Sequence, residues 1–265
     1  MPFPAEGFPL VAAISPRVQA IETTDSTNAD LVRHVADAPD QWPHLSLLLT
    51  NDQRAGRGRL DRSWTAPAGT GLAVSVLVDA SAIPPASRGW IPLIAGAAMT
   101  RAIEAQTHGT GHSARLKWPN DVLMDGGKIC GILAEVVPGH PDSIVVGAGV
   151  NTRMSATDLP VDTASSFLTL GLEADEDRLL ADYLTALDEQ VQALAASGGD
   201  AAASGVLGEI ESLCVTLGRD VVVSLPASEA LIGRAQRIDV DGRLVVVDPL
   251  GVEHAVSAGD VEHVR

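Results

Sequence analysis

The chain has 265 residues, which leaves room for one large domain and a small second one. A hydrophobic fraction of 46% excludes a disordered chain, and no apolar run reaches the roughly 18–20 residues that cross a bilayer. The net charge of −16 repels a nucleic-acid backbone, so neither nucleic acid nor membrane is an expected partner.

Met1–Leu10 has no basic region leading into an apolar stretch, so no signal peptide is read and a cytoplasmic protein is expected. Cys130 and Cys214 lie far apart and are expected to be reduced thiols. Positive charge is scarce yet clustered. Arg54, Arg57, Arg59 and Arg62 fall within nine residues, and the only two lysines, Lys117 and Lys128, stand eleven apart. Anion binding is the simplest reason for such clustering.

Residues 17–23 read as a strand, followed by Asp25-Ser26-Thr27-Asn28. Thr27 with Asp30 fits a capping box, opening a helix whose apolar face is Leu31, Val32 and Val35. Leu45–Leu49 has strand length. A Gly- and Arg-rich loop over 51–70 leads to an alternating strand through Leu72, Val74, Val76 and Val78. Residues 88–106 are helix-like. A short strand ends at Trp118-Pro119, a turn passes through Asp125-Gly126-Gly127, and a long strand runs from Lys128 to Val137, read as a hairpin. Ile144–Val150 is a further strand. Residues 175–197 form the clearest helix, with Leu180, Leu184, Leu187, Val191 and Leu194 on one face and acidic residues at its N-terminus. From Val215 the pattern changes to short strands only (221–225, 231–239, 243–248, 252–257 and 261–264), which suggests a small barrel.

Three segments could carry chemistry. Gln53-Arg54-Ala55-Gly56-Arg57-Gly58-Arg59 pairs backbone freedom with guanidinium forks for phosphate or carboxylate, although a solvated surface loop would read the same. Lys117-Trp118-Pro119-Asn120-Asp121 ends a strand, and a hairpin would bring Lys117 near Lys128. Two such ammonium groups repel unless an anion lies between them, as in ATP binding; a surface hairpin is the alternative. Gly147-Ala148-Gly149-Val150-Asn151 places glycines inside a strand, where another group can pack close, or where a core strand is tightly packed. No histidine spacing suits a metal, and there is no Gly-x-Ser-x-Gly elbow.

In order, Asp25-Ser26-Thr27-Asn28, these three segments (the first with Trp64) and Gly127-Lys128-Ile129-Cys130-Gly131-Ile132-Leu133-Ala134-Glu135 resemble the biotin–protein ligase family, from about residue 20 to 170. The resemblance implies an α+β fold. Residues 1–214 would form a catalytic domain with a mixed sheet packed by helices, like that of class II aminoacyl-tRNA synthetases. Residues 215–265 would form a small SH3-like β-barrel. It implies biotin and ATP as substrates with Mg²⁺, and transfer of biotin to a lysine of a biotin carboxyl carrier protein. The catalytic residues would be Lys128, Arg57 and Lys117. Biotin would meet Ser26, Thr27, Asn28, Gln53, Arg57, Gly58, Arg59, Lys128 and Gly131. ATP would meet Arg59, Trp64, Lys117, Asn120, Asp121 and Asn151, with Asp121 near the metal. Asp61 stands where the family often has glycine, and Cys130 where it has a small or apolar residue. About twenty residues before Asp25 cannot hold a helix-turn-helix, so a monofunctional enzyme is expected, as a monomer or weak homodimer. A lipoate–protein ligase and a non-catalytic biotin sensor are the alternatives.

Overall fold

The computed structural model describes residues 7–59, 62–224, 230–257 and 259–264. The chain enters through α1 (Pro9–Ala12), β1 (Val18–Ala20), α2 (Thr27–Asp37) and β2 (Leu47–Thr50). The Gly/Arg segment forms two short strands, β3 (Gly56–Arg57) and β4 (Ser63–Trp64), before β5 (Gly71–Asp79) and α3 (Ile91–Gln106). A meander follows: β6 (Ala114–Lys117), β7 (Asp121–Met124), β8 (Gly127–Val137) and β9 (His140–Asn151). Then come α4 (Glu176–Ala196), α5 (Val206–Leu213) and five short strands, β10 (Asp220–Ser224), β11 (Leu231–Ile238), β12 (Leu244–Val247), β13 (Glu253–Val256) and β14 (Asp260–His263).

Among the described residues the large sheet has the order β1-β2-β5-β9-β8-β7-β6. β1 and β2 are parallel and the other neighbours antiparallel, so the sheet is mixed. Strand alternation assigns its faces. Leu47, Leu49, Val74, Val76, Val146, Ala148 and Val150 join the main core, which α3 and α4 cover. Leu48, Leu77 and Val145 point the other way, into a smaller cluster with Leu31 and Val35 of α2. That second face carries Ala73, Ser75, Gly147 and Gly149 as the strands run away from Leu77 and Val145. One face is therefore filled with large side chains, while half of the other is nearly bare.

Three local readings change. The N-cap of α2 is Ser26, whose Oγ accepts from Ala29 N at 3.4 Å, and not Thr27, whose N–H and hydroxyl turn to Gln53. The stretch from 117 to 137 is not a simple hairpin, because β7 pairs on both sides and separates the strands of Lys117 and Lys128. The tight turn within it is Asp125-Gly126, both with positive φ, the geometry a two-residue hairpin needs. Helix α5 was not anticipated, although Val206, Ile210 and Leu213 have helical spacing and are buried.

The C-terminal strands form a five-stranded antiparallel sheet in the order β13-β12-β11-β10-β14, with no pairing of β13 to β14 among the described residues to close it. Two tryptophans, Trp90 leading into α3 and Trp118 following β6, hold the β11–β12 turn. Trp90 Nε1 donates to Val240 O at 3.0 Å and Trp118 Nε1 to Gly242 O at 3.1 Å, and both rings are buried. Val215 N donates to Leu116 O at 2.8 Å, so the second sheet grows from the end of β6. No helix among the described residues is long and apolar enough to cross a membrane.

Trp90→Phe keeps most of the buried ring but leaves Val240 O without its donor. It is expected to lower unfolding free energy by about 1–2 kcal/mol in equilibrium urea titrations. An unchanged midpoint would mean that the tryptophan bond does not hold the turn.

Candidate active site

The bare half of the sheet is the floor of a cleft. Every site residue singled out from the sequence lines it except Asn151, together with Ala73, Gly147 and Gly149 of the floor and Gly259, Asp260 and Val261 of the second sheet.

The glycines on the floor have distinct tasks. A Cβ on Gly147 would stand 2.3 Å from Asn28 Oδ1, and one on Gly149 would stand 2.6 Å from the Trp64 indole. Asn28 and Trp64 are thus set directly on the sheet backbone. Asn28 Nδ2 donates to Leu133 O at 3.1 Å and to Glu135 Oε2 at 2.8 Å, while its Oδ1 accepts from Ser75 Oγ at 2.6 Å. Both amide protons and the amide oxygen are engaged inside the protein. Asn28 therefore builds the wall more than it offers free groups to a ligand. Ser75, fully buried on β5, also lies 2.8 Å from Thr27 Oγ1. Gln53 Oε1 accepts from Thr27 N at 2.8 Å and Thr27 Oγ1 at 3.1 Å. The result is a continuous hydrogen-bonded wall at one end of the cleft.

Charge dominates the other end. Arg57, Arg59, Arg62, Lys117 and Lys128 line the cleft against two carboxylates, Asp121 and Asp260. Lys128 Nζ lies 2.5 Å from Asp121 Oδ1, and a Cβ on Gly131 would crowd that ammonium at 3.3 Å. The Asp121 carboxylate thus answers the repulsion expected from two clustered lysines. The Lys117 ammonium has no hydrogen-bond or ion-pair partner among the described residues, its backbone pairing with Asp121 in the sheet. The three loop arginines are each tied to a different wall. Arg57 pairs with Glu135 of β8 at 3.0 Å, Arg59 Nη1 donates to Asn120 Oδ1 at 3.3 Å, and Arg62 forks onto Asp260 of β14. Burial lowers the Arg59 pKa, with Asp121 and Asp260 opposing it, yet a guanidinium stays charged throughout the physiological range. Leu60 and Asp61, between the last two arginines, lie outside the described residues.

Asn151 sits behind the cleft. Its Nδ2 donates to Ser165 O at 2.9 Å and reaches Lys128 O at 3.4 Å, so it holds the strand that carries Lys128. Sequence reasoning missed Asp260, because an acidic residue in an ordinary short strand nearly two hundred residues downstream gives no local signal. Ser75 was equally hidden in an alternating strand.

No group of three or more His, Cys, Asp or Glu side chains among the described residues could hold a metal ion alone. A magnesium ion carried in on phosphates needs only one or two carboxylates and keeps its other positions for water and phosphate oxygens. Asp121 offers one such carboxylate on the cleft wall, with its Oδ1 shared with Lys128, while the Asn120 amide oxygen already accepts from Arg59.

A hydrogen-bonding wall joined to a basic wall, on a mixed sheet backed by helices, defines a ligase-type site for anionic substrates. The chain belongs to the Biotin/lipoate A/B protein ligase family, whose profile matches residues 20–151. Within that family it falls with the biotin–protein ligases. It is 35% identical over 250 residues, covering 94% of this chain and 90% of the other, to the biotin–[acetyl-CoA-carboxylase] ligase of Mycobacterium tuberculosis (strain ATCC 25618 / H37Rv). It is 32% identical over 142 residues to the bifunctional ligase/repressor BirA of Bacillus spizizenii (strain ATCC 23059 / NRRL B-14472 / W23), which is 53% of this chain and 41% of that protein. The fold matches the biotin protein ligase from Aquifex aeolicus in complex with biotin and ATP with a TM-score of 0.75. That match has 24% identity and covers 94% of this chain and 99% of the other.

Cys130, one residue behind the cleft floor, is buried, and burial pushes its thiol up to about 12; Cys214 is raised for the same reason. Neither forms a disulfide. With so little thiolate at pH 8, the native protein is expected to resist iodoacetamide and the unfolded chain to take two labels. Rapid labelling of Cys130 in the native state, read by mass spectrometry, would contradict its burial.

Proposed function

We propose that this chain activates biotin with ATP to biotinyl-5′-AMP and transfers the biotinyl group to a lysine of a biotin carboxyl carrier protein or domain. The observation that carries the reading is the joining, in one cleft, of the Thr27–Gln53 hydrogen-bonding wall to the five-cation wall. Five cations against the carboxylates of Asp121, Asp260 and Glu135 leave the cleft with net positive charge, which suits the anionic biotin carboxylate and ATP.

Ser26, Thr27 and Gln53 bind the ureido ring, with Asn28 fixing the wall behind them. Arg57, Gly58 and Arg59 cover biotin and the adenylate. Lys117 and Asn120 face the phosphates, and the Trp64 indole, seated on Gly149, receives the adenine. Residues 1–214 carry this chemistry and 215–265 form the smaller unit. Mg²⁺, held by Asp121 and the phosphates, supplies charge neutralisation when bound.

The biotin carboxylate and the triphosphate repel one another, and the carboxylate must approach the α-phosphorus in line with departing diphosphate. Lys128 lowers that repulsion from a strand whose position Asn151 and the Gly131 gap fix, so little reorganisation is needed at the moment of reaction. In the second step the neutral amine of the acceptor lysine attacks the acyl carbon, AMP leaves, and the amine loses a proton. Until then the arginine tethers keep water from the acyl-phosphate.

The reading is tested by diphosphate release with ATP and biotin, set beside lipoate and octanoate. Biotin-dependent release is expected. Preference for lipoate would make the chain a lipoate ligase, and binding of biotin without release would make it a sensor. Lys128→Ala is expected to slow adenylate formation about a hundredfold with the fold intact by circular dichroism. A variant at the parent rate would remove Lys128 from the catalytic group. Trp64→Ala is expected to raise the KM for ATP about tenfold with a smaller change for biotin. Equal weakening of both would make Trp64 a packing residue of the loop instead.

A further inference from the structure

The second sheet reaches the cleft at one charged residue. Asp260 opens β14 and lines the cleft beside Gly259 and Val261, although its strand belongs to the other sheet. Its carboxylate takes the Arg62 guanidinium end-on: Nη1 donates to Oδ1 at 3.1 Å and Nη2 donates to Oδ2. An end-on fork fixes the plane of the guanidinium and leaves its Nε–H edge without a partner among the described residues. Arg62 also lines the cleft, so that edge is available to an anion there. The backbone adds to the arrangement, since Gly58 N donates to Arg62 O at 2.6 Å and Arg62 N to Arg59 O at 3.2 Å. Orienting Arg62 therefore also fixes the chain on both sides of Arg59. Lys117 and Lys128 lie close enough to favour the charged form of Asp260, which Arg62 holds well below the usual carboxylate range. The carboxylate is thus ionised at any working pH.

We infer that Asp260 is a positioning residue for the adenylation step: from the second sheet it holds Arg62 with one edge turned to the nucleotide phosphates. The inference rests on the activity proposed above. An exposed ion pair adds little to stability, so the pair's effect should fall on substrate binding rather than on folding. Asp260 touches no substrate; it acts through Arg62.

The test uses the full chain and steady-state diphosphate release. Asp260→Asn keeps the shape and removes the charge that holds the fork. It should raise the KM for magnesium-ATP about tenfold, the effect expected from losing one charged hydrogen-bonding contact. The KM for biotin and the thermal midpoint should change little. Arg62→Ala should give a similar or larger rise. In the double variant, Asp260→Asn should add nothing to Arg62→Ala, because the carboxylate then has no arginine to hold. Asp260→Glu, which retains the fork, should recover part of the loss.

Additive effects in the double variant would overturn the inference, and so would equal rises in both KM values. A lower KM for ATP in Asp260→Asn would show that the carboxylate withholds Arg62 from phosphate, and would overturn it as well. Failure here is distinct from failure of the proposed activity: a parent enzyme that releases diphosphate with biotin, and loses this in Lys128→Ala, keeps the activity whatever Asp260 does.

Discussion

Asn28 lies flat on the backbone of the central sheet because position 147 has no side chain, and the cleft depends on that contact. Its amide joins three strands at once: Ser75 of β5, the Leu133 carbonyl and Glu135 carboxylate of β8, and β9 through Gly147. The start of α2 is thereby locked over the sheet, which sets Thr27 against Gln53 and leaves Glu135 facing Arg57. A buried amide of this kind stabilises only when all its groups are satisfied, since each unpaired one costs about 1–3 kcal/mol. Here they are satisfied without a ligand, so the wall is built before any substrate arrives. Preorganisation of that sort keeps the cost of ordering side chains out of binding.

The same economy of side chains explains how a protein with a net charge of −16 maintains a basic cleft. Both of its lysines and three of its arginines are there, and the paired carboxylates Asp121 and Asp260 keep the cations from repelling one another. The lysines stand on strands, where the ladder fixes their origin. The arginines stand on β3 and on the chain between β3 and β4, each fixed by one partner residue on a different wall. Strand-borne charge suits a step that needs fixed geometry. Charge held by separate tethers suits a cover that substrates must pass.

Legibility in the sequence followed locality. The long helix 175–197 and the five short C-terminal strands were readable because their apolar spacing is regular, and the observed bounds differ by at most one residue. The motifs were readable because they come in runs, and the site residues named from them, all except Asn151, meet in the cleft. The glycines at 147 and 149 were read as room for another group, and they give it to Asn28 and Trp64. What stayed hidden is non-local. Nothing about Ser75 distinguishes it from the other small residue facing outward in an alternating strand until α2 is folded over it. The β7 strand was lost because four residues between a proline turn and a glycine turn resemble a loop. Asp260 has no local pattern at all.

That last residue changes the meaning of the C-terminal sheet. Two tryptophan donors, one at the start of α3 and one after β6, anchor its β11–β12 turn, so its position is fixed by neutral hydrogen bonds and buried rings. With the anchor set there, β14 falls beside the cleft and delivers a single carboxylate to it. The anchor and the carboxylate do different work: the buried rings and their hydrogen bonds set where the sheet stands, and the ion pair sets where Arg62 points. An exposed ion pair would be a poor anchor, because solvent screens it and its net contribution is about 0–1 kcal/mol. It is a good pointer, because a fork contact restricts orientation even when it adds little stability. The small sheet thus shares the main core through Val221, Val223, Ala235, Leu244 and Val246, and reaches the chemistry through the charge of Asp260.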